Sequence, residues 1–264
     1  MYSETKPILF NCPKEYDTVE IYPVHDLHYG SEQFNLRKWN ALHDLILAAP
    51  NRFIVWVGDL LENSVPFSNH SDCLTQMYSP QEQKEYITEL FKEFKRRTIA
   101  ILDGNHELNR STKMCGLYPL YDCAAIAGIE TAYRSAYAVM DIGVGTDANG
   151  MKGRQLHYVG FATHRAKNLK SFASVDALEG FDFFLSGHDH EPTDHSRGKL
   201  VYDARNHAVQ FKSVDVVNCG AFLSYGGYGA QAGYRPKSDK LYKLVLHGGR
   251  TKQIDCWQSN VSAF

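Results

Sequence analysis

Residues 98–107 read Thr98-Ile99-Ala100-Ile101-Leu102-Asp103-Gly104-Asn105-His106-Glu107, a β-branched and apolar run that passes straight into a polar, metal-competent turn. A continuous run of this kind reads as a strand covered on both faces, the habit of strands in parallel sheets. The same grammar occurs twice upstream. Arg52 to Val57 (RFIVWV) ends in Gly58-Asp59, and Thr18 to Val24 (TVEIYPV) leads into Asp26-Leu27-His28-Tyr29-Gly30. Helix-type segments lie between them. Glu32 to Ala49 carries Phe34, Trp39, Leu42, Leu45 and Ile46 at helical spacing, and Pro80 to Arg97 reads as a charged amphipathic helix after an irregular stretch over 63–80. Alternating strands and helices predict an α/β domain, whose sites lie outside the carboxyl ends of the strands.

After a helix from Leu117 to Ala127 the texture changes to short strands. These are Ser135 to Ile142, Gln155 to Thr163, Phe181 to Ser186, Lys199 to Ala204, Ser213 to Asn218 and Leu241 to Leu246, with helix only near Ser171 to Leu178. No tandem repeat or Pro- or Ser-rich linker divides the chain, so one domain over 1–264 is expected, with a second sheet supplied by the C-terminal half. Hydrophobic residues at 44% and charged residues at 22% match an ordinary globular mix, which excludes fibrous and low-complexity classes. The formal charge of −2 argues against a nucleic-acid coat or a cationic membrane binder, though a local basic groove stays open. Six scattered cysteines without a C-x-x-C pair fit neither a disulfide framework nor a zinc ribbon. With no basic-then-apolar leader and no membrane-length apolar run, a cytoplasmic protein is expected.

The chemistry resides in the strand ends. Asp26 and His28 are two apart, so in an extended segment both side chains leave the same face. His188 and His190, in Ser186-Gly187-His188-Asp189-His190, repeat that spacing after another apolar run. With Asp59 and Asn105 they compose a mixed oxygen and nitrogen donor set, suited to Mn, Fe, Zn or Ni rather than Ca. Each pair alone is common by chance. The ordered set, each member following a strand, is not. His25 is expected to point away and be structural, His157 to serve the core or a sheet face, and His195 and His207 have no assigned role. The segment Ser224 to Pro236 (SYGGYGAQAGYRP) reads as a surface loop, with base stacking by its tyrosines as the lesser alternative.

The ordered set resembles the calcineurin-like metallophosphoesterase family, whose pattern is D-x-H, G-D-x-x-[DE], G-N-H-[DE], a lone His and G-H-x-H. Here these are Asp26-Leu-His28, Gly58-Asp59-Leu-Leu-Glu62, Gly104-Asn105-His106-Glu107, Thr163-His164 and Gly187-His188-Asp-His190; Val217-Asn218-Cys219-Gly220-Ala221 is similar to the family's N-P-G-S segment. The resemblance implies a four-layer α/β/β/α sandwich of two mixed sheets flanked by helices. It also implies two divalent metal ions, manganese first, with iron, zinc or nickel as alternatives. The first would take Asp26, His28 and His190, and the second Asn105, His164 and His188, with Asp59 between them. Paired ions clamp a phosphate and activate a water. His106 would assist the leaving oxygen, and Glu62 would orient His106.

The family's substrates are phosphate esters of many kinds. Protein phosphatases of the group carry G-D-x-V-D-R-G, and Gly58-Asp59-Leu-Leu-Glu62-Asn63-Ser64 lacks that arginine. Arg110 and Lys113, Arg165, Lys167 and Lys170, and Arg197 and Lys199 follow the motifs closely, where they could hold a polyanion or be ordinary surface charges. Tyr29 could stack on a base or simply pack. The D-x-H-x-G opening and Gly-Asn-His-Glu segment are nearest to bacterial and phage-type phosphodiesterases, so the expected substrate is a nucleotide or nucleic acid. A phosphomonoesterase or pyrophosphohydrolase on a small metabolite is the alternative, and a non-catalytic scaffold the minority one. No membrane partner is expected, and the sequence is silent on oligomeric state.

Overall fold

In the computed structural model Arg52–Val57 forms a strand, β3, buried from Phe53 onward, as its unbroken apolar run demands. The structure describes residues 6–66, 73–146, 154–165, 179–231, 233 and 235–259. Around β3 lie β2 (Thr18–Val24), β4 (Thr98–Leu102) and β5 (Tyr133–Arg134), all parallel to it. Two antiparallel strands, β11 (Leu241–His247) and β12 (Ile254–Ser259), extend the other side. The order is β12-β11-β2-β3-β4-β5.

The second sheet has the order β1-β6-β7-β8-β10-β9. Its members are β1 (Ile8–Asn11), β6 (Tyr137–Val144), β7 (Leu156–Arg165), β8 (Phe183–Gly187), β9 (Thr193–Asp203) and β10 (Ala208–Asn218). It too is mixed: β7 and β10 both run parallel to β8, whereas β6 pairs antiparallel with β7. The architecture is thus α/β, with two mixed six-stranded sheets flanked by helices.

Period-two alternation divides each strand's side chains between two cores. Phe53, Val55 and Val57 of β3 meet Met140, Ile142, Tyr158 and Leu185 of the other sheet. Ile54 and Trp56 face the helices, packing with Trp39, Leu42, Phe91 and Leu120. Helix α1 (Leu36–Leu47) begins where the Asn35 side chain accepts from the Lys38 N–H. Helix α2 (Pro80–Glu93) begins at a reciprocal Ser79–Glu82 capping box with Pro80 in its first turn.

The helices are shorter than expected. Residues 32–35 turn rather than coil, because Phe34 bridges to Leu223, and the segment Leu117–Ala127 becomes helical only at Pro119. The expected helix near Ser171 to Leu178 lies outside the described residues. Strands β1, β5 and β12 were not anticipated, and the hairpin of β9 and β10 is longer than read. Thr193–Asp203 and Ala208–Asn218 pair over eleven residues each. Their outer halves are exposed on both faces, so the short alternation of Leu200, Tyr202, Val209 and Phe211 marks a solvent-facing surface and not a core one.

Candidate metal centre

The candidate ligands stand at or just past the carboxyl ends of strands from both sheets. Asp26 and His28 follow β2, Asp59 follows β3, and Asn105 and His106 follow β4. From the other sheet, His164 closes β7 and His188 and His190 follow β8. The sheets meet face to face, so these ends converge on one rim.

The backbone bends sharply to achieve this. Asp26 (φ 49°), His28 (48°), Asp59 (51°), His188 (76°) and His190 (54°) all adopt the left-handed conformation. For residues with a Cβ this costs on the order of 1–3 kcal/mol each and persists where surrounding contacts over-determine it. Here the contacts are visible. The Asp26 N–H donates to the Gly58 carbonyl, the His28 N–H to the Asp59 carbonyl, and the His188 N–H to Asp26 Oδ2. The Asp26 and His28 side chains therefore do not share a face because the segment is extended, as the spacing had implied. They meet because two residues turn left-handed after β2 has ended. The same device separates His188 from His190.

Three donor groups result, two of them built from the expected ligands and a third, His28, Glu62 and His106, sharing His28 with the first. Asp26, His28 and His190 offer ligand atoms within 4.8 Å of one another, and so do Asp59, His164 and His188. Asp59 Oδ2 stands between them, 3.1 Å from His164 Nε2 and 4.0 Å from His28 Nε2. Asn105 Oδ1 lies 3.2 Å from His164 Nε2, which places it with the second group. His164 Nδ1 donates to the Val57 carbonyl at 2.7 Å, leaving Nε2 to face the site.

These donors fit a cation. Asp26 Oδ1 and His28 Nε2 are buried without a hydrogen-bond partner, an arrangement that is costly unless something positive sits against them. Burial alone would lower the pKa of His28, but Asp26, Glu62 and Asp59 raise it to about 10. Burial opposes the charge on His164 as well, and Asp59 and Asp26 raise that residue to about 9. The pocket thus collects positive charge.

Two contacts depart from expectation, and a third favours packing over base stacking for Tyr29. The carboxylate of Glu62 makes no hydrogen bond to His106, its Oε2 standing 3.8 Å from His106 Nδ1 as a nearby charge. Its Oε2 lies 3.2 Å from His28 Nδ1 and its Oε1 accepts from Arg110 at 2.8 Å, while His106 Nδ1 donates to the Glu62 main-chain carbonyl. Any orienting of His106 runs through the backbone of that residue. His25 does not point away from the site. It is fully buried, and its Nδ1 meets Asp26 Oδ2 at 2.5 Å. Tyr29 is closed to a base, because its two faces are stacked by Tyr86 (3.8 Å between centroids) and Tyr78 (5.0 Å).

Glu107 had no assigned role. Buried at 0% exposure, it accepts from the N–H groups of Leu60 and Leu61 through Oε1 and of Asp59 and Gly104 through Oε2. One carboxylate thereby joins the turn after β3 to the turn after β4. The motif spacing contained the signal, an acidic residue directly after Asn105-His106. Three of its four partners lay more than forty residues upstream and could not be read.

The donors open into a cleft of about 1350 Å³. The segment expected as an outlying surface loop forms one wall of it, through Tyr225, Gly226 and Arg235, with the short helix Gly227–Gln231 inside that segment. Arg110 also lines the cleft, whereas Lys113, Arg197 and Lys199 do not. The side chains of Arg165, Lys167 and Lys170 lie outside the described residues. His157 pairs with Asp141 on an exposed sheet face. Among the described residues no helix is long and apolar enough to cross a membrane.

No protein-family model matches the chain, and no curated protein matches it. The chain is similar to the solved structure of the calcineurin-like phosphoesterase YfkN from Bacillus subtilis, at 14% identity and a TM-score of 0.47, covering 94% of this chain and 92% of that one. It is similar to a metallophosphoesterase from Sphaerobacter thermophilus at 11% identity and TM-score 0.42, covering 92% and 89%. Vps29 from Chaetomium thermophilum follows at 10% identity and TM-score 0.29, covering 91% and 97%.

Proposed function

We propose that this chain is a metal-dependent phosphoester hydrolase of the calcineurin-like metallophosphoesterase type, acting on a phosphodiester of a nucleotide or nucleic acid. The observation that carries the reading is the pair of donor groups, Asp26–His28–His190 and Asp59–His164–His188, meeting at Asp59 on left-handed backbone. Two divalent ions, manganese first, would be held by those residues and Asn105. When bound, such ions neutralise phosphate charge and activate the attacking water. The chain's own contribution is positional. His106, partly buried and held by its Nδ1, directs Nε2 toward the site, where it would hold or pass a proton at the leaving oxygen. Burial, against the pull of Asp59, lowers its pKa to about 4, so the imidazole is neutral near pH 7 until substrate charge arrives. Arg110, fixed by Glu62, faces the same cleft as a cation for the substrate's phosphate.

Metal-stripped protein supplied with Mn²⁺ is expected to cleave bis-p-nitrophenyl phosphate faster than p-nitrophenyl phosphate, and to lose that activity on chelation. A monoester preference would replace the diester reading with a phosphatase. Absence of hydrolysis with any of the four metals would overturn enzymatic function altogether.

Metal affinity should also depend on pH. His28 and His164, with pKa values of about 10 and about 9, carry protons near neutrality in the metal-free protein. A ligating imidazole must be neutral, so binding releases protons and apparent affinity rises with pH between roughly 6 and 9. Calorimetric Mn²⁺ titration in buffers of different ionisation enthalpy measures this release. An affinity independent of pH across that window would remove both histidines from the ligand set.

A further inference from the structure

The hairpin of β9 and β10 carries an apolar stripe that nothing among the described residues covers. Across its ladder Leu200 faces Phe211 and Tyr202 faces Val209. All four lie on one face, exposed at 76%, 73%, 62% and 65% respectively. Gly198 shares that face and lets the Phe211 ring settle over the backbone, since a Cβ there would stand 2.4 Å from the ring. Beyond this stripe β9 is the outermost strand of its sheet, so its second edge has no neighbouring strand among the described residues. An apolar stripe beside an open edge is a template for strand addition.

We infer that the partner is a second copy of this chain, joined by antiparallel pairing of β9 with β9 about a two-fold axis at Leu200. The charges on the strand select that register. With Leu200 opposite its own mate, Arg197 falls opposite Asp203 of the second copy, and Tyr202 falls opposite Gly198 of the second copy. Each pair occurs twice, as an isologous interface requires. A slip of two residues one way sets Lys199 against itself. A slip of two the other way pairs Lys199 with Asp203 of the second copy, but it carries Arg197 onto Arg205 in the hairpin turn beyond the end of β9. Both oppose like charges. A slip of one residue turns the apolar stripe of one copy onto the polar face of the other. In the matching register the four apolar residues of each hairpin form one continuous face across four strands. Asp203 already accepts from Asn206 and Gln210 in its own turn, which holds its carboxylate at the strand end.

Sedimentation velocity of the intact chain from about 1 to 100 µM tests the assignment. A reversible dimer is expected, with Leu200→Lys weakening it at least tenfold. Leu200→Cys is expected to cross-link as a dimer on oxidation while Val201→Cys does not, because only position 200 meets its own mate. These positions are exposed, and an unchanged thermal melt verifies folding. A monomer throughout, a dimer indifferent to Leu200→Lys, or cross-linking at 201 in place of 200 would each overturn the proposal. The wild-type and Val201→Cys proteins control for the six native cysteines.

Discussion

Asp59→Ala is expected to abolish metal retention and to reduce hydrolysis of bis-p-nitrophenyl phosphate by roughly 10³-fold or more, the several kcal/mol that bound ions supply to the transition state. Asp59 reaches both donor groups through a single oxygen, Oδ2, at 3.1 Å from His164 and 4.0 Å from His28; Asp26 lies closer to its own group and reaches His164 only at 4.0 Å. The other oxygen of Asp59 accepts from the His106 N–H at 2.8 Å. Asp59→Asn keeps that acceptor and the side-chain volume while deleting the charge, so a similar loss in both variants would assign the effect to metal binding. His106→Ala provides the contrast. Its turnover should fall by about 10²–10⁴-fold with metal content unchanged, and less for substrates with good leaving groups, which need little protonation. Elemental analysis after dialysis, run beside the kinetics, separates the two residues. Full metal content in Asp59→Ala would refute its bridging position, and metal loss in His106→Ala would show that His106 is a ligand.

Glu107→Ala is expected to lower stability by about 3–4 kcal/mol, because four N–H groups on two turns lose their shared acceptor. For a chain of this size that corresponds to a fall in Tm of roughly 10 °C. Glu107→Gln should recover little of it. An amide keeps one accepting oxygen and turns an NH2 donor toward two other donors, so either flip leaves half the set opposed. Burial, then the Asp59 charge, raises the pKa of Glu107 to about 7, and the N–H donors oppose that rise. Thermal unfolding of metal-free protein reads the effect without interference from ligand binding. Wild-type stability in Glu107→Gln would mean that the two turns hold each other without the carboxylate. A loss of metal affinity should accompany the fall in stability, since the same turns carry Asp59 and Asn105.

The framework of the site was legible in the chain. The runs ending at Val24, Val57 and Leu102 announce buried parallel strands, because a strand covered on both faces has no polar alternation to obscure it. Polar residues placed immediately after such runs are carried by covalent connection to the rim of the sheet. The hairpin from Thr193 to Asn218 was legible only in part, since Thr193 to Gly198 is polar on both faces and the alternation of Val209 and Phe211 spans too few residues to fix a strand's length.

Through-space relations were not legible. That His190 joins Asp26 while His188 joins Asp59 was implied by the resemblance and not by the spacing, because it depends on positive φ angles at aspartate and histidine, residue types enriched there but far more often found elsewhere. Glu107 gathers donors from a turn more than forty residues away, and the Gly- and Tyr-rich segment reaches the cleft from far down the chain. Local sequence specifies elements and the residues at their ends, because backbone geometry and burial periodicity act over a few residues. Which of those ends touch is specified by two sheets closing on a common core, and only the folded chain contains that information.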